Sequence, residues 1–152
     1  MVKLCAALFV LVASVHANAQ SDNPKFNQSL ADSLGADDFG MKNYVLAILK
    51  TGPATYNDKA KTDSLFRGHM QNIGRLASIG KLIVAGPLGK NDKNYRGIFI
   101  LNVKTVEEAK LLVESDPAIK AKIFDVELYP WYGSAALPKY LPFHEKLEKK
   151  KF

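Results

Sequence analysis

The sequence predicts an α+β domain in which a four-stranded antiparallel sheet carries two helices on one face. Three observations predict it. Four apolar runs read as strands, at residues 43–49, 81–85, 95–103 and 124–131. Two stretches with helical apolar spacing, 61–79 and one opening at Thr105, follow the first and third of these runs. The link between the second and third runs, 89–94, is short and polar, as expected between antiparallel neighbours.

The first strand has Tyr44, Leu46 and Ile48 on one face and Val45, Ala47 and Leu49 on the other. Both faces are apolar, so both call for cover. Thr51-Gly52-Pro53 stops the run. In the first helix, Leu65, Phe66, His69, Ile73, Leu76 and Ala77 form one stripe. Gly80 then ends the helix as a residue suited to the left-handed conformation. The second strand closes at Gly86-Pro87, and the third sets Phe99 and Leu101 against Ile98 and Ile100. Thr105 followed by Glu108 is a capping box for the second helix, whose buried stripe is Ala109, Leu112 and Val113. Asp116 caps a further short helix that starts at Pro117. Pro130 is expected to end the last strand.

Strand, helix, strand, strand, helix, strand is the ferredoxin-like arrangement. Its helices cover one sheet face, yet the first and third strands are apolar on both. A second copy of the chain packed sheet to sheet, a homodimer, is the economical cover.

The 152 residues divide further. Residues 1–19 read as a signal peptide: Lys3, an apolar run over 4–15 and the small residues of Ala17-Asn18-Ala19. The run is shorter than the roughly 20 residues of a membrane span, so no stable span is expected after cleavage. Export to a periplasm or the exterior follows. Cleavage leaves 133 residues without the single cysteine, Cys5, and with a net charge of +5. The mature chain would then hold no disulfide and no thiol nucleophile. Residues 20–42 are a polar leader with one weak helical turn near 29–34. The domain spans 43–132, and 133–152 is a C-terminal extension with a short helix near 144–150. The positive excess gathers in Lys146, Lys149, Lys150 and Lys151, with no aromatics interleaved on a folded face; nucleic acid is not an expected partner.

His69-Met70-Gln71-Asn72-Ile73-Gly74-Arg75-Leu76, followed by Gly80-Lys81-Leu82-Ile83-Val84-Ala85-Gly86-Pro87-Leu88, resembles the signature of the YCII-related family. Glu108-Ala109, Asp116-Pro117 and Pro130-Trp131 continue the match in order, from about Tyr44 to Trp131. The resemblance implies a ferredoxin-like fold that pairs into a dimeric α+β barrel. It also implies a histidine–aspartate pair, here His69 and Asp116, proposed in that family as an active-site pair. Some relatives are enzymes acting on small cyclic or aromatic compounds. The secretion signal and the extensions depart from the compact members of the family.

The residues themselves single out His69. An imidazole in an apolar stripe costs desolvation unless its nitrogens are served, and it can take or give a proton near neutral pH. Asp116 is fully explained as a helix cap, and a cap can still present its second oxygen to an imidazole. Ser78 and Ser115 sit at helix ends as local backbone partners, so covalent catalysis has no candidate. No metal is called for, because His16 lies in the signal and His69 and His144 are 75 residues apart. No phosphate loop follows the first strand, and no cofactor is expected. Tyr129, Trp131 and Tyr132 suit either a pocket for a flat ligand or a packing interface. Two readings result. One is a small cofactor-free enzyme, of lyase or isomerase type, using His69 and Asp116 on a small organic molecule. The other is a module that binds a small ligand, or a structural dimer, without turnover. The first predicts a short His69–Asp116 contact and an open cavity reaching His69; the second, a closed cleft or a ring whose nitrogens are both satisfied by backbone.

Overall fold

The computed structural model describes residues 23–150. The signal segment, Cys5 and His16 lie outside the described residues, as do the first residues of the leader and the last two of the tail.

The elements run α1 (Gln28–Leu34), β1 (Met41–Thr51), α2 (Lys59–Ser78), β2 (Leu82–Pro87), β3 (Tyr95–Leu101), α3 (Val106–Val113), α4 (Pro117–Lys120), β4 (Phe124–Ser134) and α5 (Leu141–Leu147), with a 3₁₀ turn at Leu137–Tyr140. The sheet order is β2-β3-β1-β4, and every neighbouring pair is antiparallel. With the two main helices crossing between these strands, this is the ferredoxin-like arrangement that the element order predicts.

Register decides the faces. Val45, Ala47 and Leu49 lie opposite Leu101, Phe99 and Gly97, and opposite Pro130, Leu128 and Val126. This side joins Leu76, Leu82, Val103, Ala109, Val113, Ala118 and Ile119 in one core beneath the helices. Leu46 and Ile48 pair with Ile100 and Ile98 on the other side, where all four are only partly buried. Tyr44 at the end of this face is buried, beside Trp131. Its hydroxyl donates to the Ser134 carbonyl. From Ser134 the chain reaches the opposite edge of the sheet, where the Tyr140 hydroxyl donates to the Ile83 carbonyl.

One proline expectation needs correction. β4 does not end at Pro130 but continues to Ser134. β2 does close at Pro87, its last residue. β4 is a sheet edge, where a residue without an N–H removes no ladder bond if its nitrogen faces outward. The first helix also starts earlier than its apolar stripe, because Asp58 accepts from the Lys61 N–H and caps it. Its end is as expected. Gly80 has φ 69°, and Gly80 and Lys81 donate to the carbonyls of Ala77 and Leu76.

Gly68 sets how closely α2 approaches α4. A Cβ built there would lie 2.8 Å from Pro117 Cγ, and a proline ring has little room to turn away. The flanking residues are His69 and Asp116, so this glycine brings the candidate pair together. Gly68→Ala should gain about 1 kcal/mol of helix propensity and lose about 1–3 kcal/mol to overpacking. Urea unfolding is expected to show net destabilisation, and a more stable variant would contradict this account of the contact.

Candidate functional site

His69 and Asp116 meet. His69 lies mid-helix in α2 and Asp116 precedes Pro117 in α4, and the imidazole Nδ1 is 2.9 Å from Asp116 Oδ2. Asp116 is wholly buried and His69 is 8% exposed. The ring is flanked by Phe124 at 5.1 Å and Phe99 at 6.0 Å between centroids.

Asp116 uses its two oxygens separately. Oδ1 accepts from the N–H groups of Ala118 and Ile119, at 2.9 and 3.3 Å, and so caps α4. Oδ2 accepts from Asn72 Nδ2 at 3.2 Å and faces the imidazole. A carboxyl surrounded by donors is ionised. Burial pushes its pKa up, but the hydrogen bond and charge of His69, the Asn72 amide and the Ile119 N–H outweigh burial and hold it below 3.8. An ionised Asp116 makes Nδ1 the nitrogen that carries a proton; in the neutral form of the ring the lone pair is then on Nε2. Nε2 has no hydrogen-bond partner among the described residues.

The network continues through residues that the sequence reading passed over. Asn72 Oδ1 accepts from Arg75 Nη2 at 2.7 Å and Nε at 3.2 Å, which fixes the amide with its NH₂ toward Asp116. Arg75 Nη2 also donates to Ser115 Oγ at 2.9 Å. The Ser115 hydroxyl donates to the Leu112 carbonyl, the local backbone role expected of it. The available signal was spacing: Asn72 and Arg75 follow His69 at successive steps of three along the helix.

A cavity of about 300 Å³ lies along the same helix, lined by Phe66, Phe124, Ile123, Thr51, Thr55 and Arg96 among others. His69 is not in its lining. Phe124 is shared, since its ring walls the cavity and stands 5.1 Å from the imidazole. The opening expected beside His69 is therefore one aromatic ring away. The three aromatics at the end of the last strand lie elsewhere. Tyr129 and Trp131 pair with Leu46 and Tyr44 on the sheet face away from the helices. Tyr132 donates to Asp37 and lines a larger cleft of about 730 Å³ with Lys42, Lys81 and Lys104. No cluster of three or more His, Cys, Asp or Glu side chains that could hold a metal ion occurs among the described residues. No described helix is long and apolar enough to cross a membrane.

The sign of the acid response follows from Asp116. Its folded pKa lies below the ordinary 3.8, so its stabilisation is complete above pH 3.8 and is lost as pH falls through the folded value. The stability difference between the wild type and Asp116→Asn should therefore shrink below pH 3.8. Urea midpoints measured across that window test this, and a constant difference would refute it.

No curated protein matches the chain. A solved structure of 5-chloro-2-hydroxyhydroquinone dehydrochlorinase from Burkholderia phenoliruptrix AC1100, in complex with 2,5-dihydroxybenzoquinone, is similar at 22% identity and a TM-score of 0.40. The match covers 57% of this chain and 92% of that one. The family model of the YCII-related domain matches residues 44–132, more than half of the chain, and takes in most of β1 through most of β4 with both His69 and Asp116. The chain belongs to the YCII-related domain family.

Proposed function

We propose that this protein is a small exported enzyme that moves a proton on a small organic molecule, with His69 as the acid–base group and Asp116 as the residue that orients it. The observation that carries this reading is the 2.9 Å contact between Nδ1 and a carboxylate already filled with donors. Such a carboxylate fixes the tautomer with its lone pair on Nε2 and favours the imidazolium formed when Nε2 takes a proton. Abstraction of a C–H or O–H proton by Nε2 leaves an electron pair on the substrate. That pair either shifts a double bond or expels a leaving group, the isomerase or lyase outcome. His69 then gives the proton to another atom of the substrate in the first case, and to the leaving group or to water in the second. The reading includes pairing of two copies through the open sheet face, where Leu46, Ile48, Ile98 and Ile100 are only partly covered. It includes export by way of Lys3, the apolar run and Ala17-Asn18-Ala19.

The position of the cavity favours a second reading. His69 is not in its lining, as expected of a module that binds a small ligand without converting it. One experiment separates the two. The full-length chain is incubated in D₂O with a panel of small phenolic and carbonyl compounds, and deuterium uptake and product are followed by NMR. His69-dependent turnover of any member supports the enzyme. Binding without turnover supports the module, and turnover that survives His69→Gln overturns the assignment of the acid–base group to His69.

A further inference from the structure

We propose that the cavity beside Phe124 takes a small, flat-sided organic anion, its apolar body against Phe66 and Phe124 and its charge on Arg96. This rests on the site assignment just made and adds the class of ligand.

Arg96 is set there by an irregularity in the sheet. β1 and β3 slip by one residue where Leu49 faces Gly97 but Lys50 faces Tyr95, which leaves Arg96 as the extra residue. A bulge of this kind breaks the alternation and re-aims the side chain. Ile98 and Ile100 lie on the open sheet face, opposite Ile48 and Leu46, whereas Arg96 lines the cavity with Phe66 and Phe124 on the helix side. No carboxylate among the described residues pairs with Arg96. The cavity lining thus includes one arginine without an ion-pair partner among the described residues.

The rest of the lining sets the body of the ligand. Phe66 and Phe124 meet edge to face at 5.7 Å, and with Ile123 and Ala54 they offer apolar walls. Thr51 and Thr55 add hydroxyls whose side chains make no hydrogen bond among the described residues. A volume of about 300 Å³ lies at the small end of the range for small-molecule pockets, which suits one ring with a charged substituent. A guanidinium recognises a carboxylate or a phenolate through paired N–H donors.

Benzoate and benzamide differ in charge at nearly equal shape and are the probes. Titrated into the full-length chain and followed by NMR, benzoate should shift the Arg96 Nε–H and the backbone of residues 51–56 and 124 saturably. Benzamide should bind about tenfold more weakly or worse, the worth of a charge-assisted hydrogen bond. Arg96→Gln should bring benzoate down to the level of benzamide. Equal affinities in the wild type, no saturable shift, or shifts centred on Lys42, Lys81 and Lys104 overturn the proposal. So does undiminished benzoate binding in Arg96→Gln. An anion preference with no turnover of any compound would defeat the proton-transfer reading and leave the anion site standing; His69-dependent turnover without an anion preference would do the reverse.

Discussion

Asp116→Ala is expected to lower the stability of the fold by about 3–5 kcal/mol, because several buried donors lose their acceptor at about 1–3 kcal/mol each. The reason is the number of groups left behind. The N–H groups of Ala118 and Ile119 lose their cap, and the Asn72 amide and His69 Nδ1 lose their acceptor. All four donors surround a carboxylate that is itself fully buried, so water replaces it poorly. Asp116→Asn is the informative comparison. Its side-chain oxygen can still cap α4, but its NH₂ then faces the Asn72 NH₂ and the imidazole. That variant should lose about 1–3 kcal/mol, the cost of buried unpaired donors. Equilibrium unfolding in urea measures both. A loss of under about 1 kcal/mol for alanine would mean that the four donors find other partners, and the description of this carboxylate as the junction of α2 and α4 would be wrong.

That junction was half legible in the sequence. His69 stood out because a polar residue interrupts an otherwise apolar stripe, a local signal. Asp116 stood out because Asp-Pro opens a helix, another local signal. Their meeting is not local. It depends on Gly68, whose missing side chain admits the Pro117 ring, and one sequence does not reveal which glycine faces another helix. Asn72, Arg75 and Ser115 were hidden for the same reason. Asn72 is buried, but Asn at that step of the helix reads equally well as a solvated side chain until its partner across the helix is known.

The fold shows the same division. Four strands and two main helices were readable because apolar period is a property of neighbours in sequence. The end of β4 was not, because Pro130 stops a strand only if another strand needs its N–H. β4 is an edge, and edge position is set by the order β2-β3-β1-β4, not by the residues near the proline. Arg96 is a third instance. Alternation alone puts it beside Ile98 on the open face, and only the slipped register against β1 brings it into the cavity lining.

His69→Gln is expected to lower kcat by about a hundredfold to ten-thousandfold for a compound that the deuterium screen identifies, the usual worth of a positioned acid–base group. The stability change should be far smaller than that of Asp116→Ala. A glutamine NH₂ can still donate toward Asp116 Oδ2, so the carboxylate keeps its partners while the site loses the group that titrates. Loss of turnover with retained folding separates chemistry from packing. A pH profile sharpens the test, because a limb of kcat/KM that belongs to the imidazole must vanish in the variant. If turnover and profile both survive, proton transfer does not pass through Nε2. The His69–Asp116 contact would then be a device for joining two helices, and the ionised carboxylate would serve the fold alone.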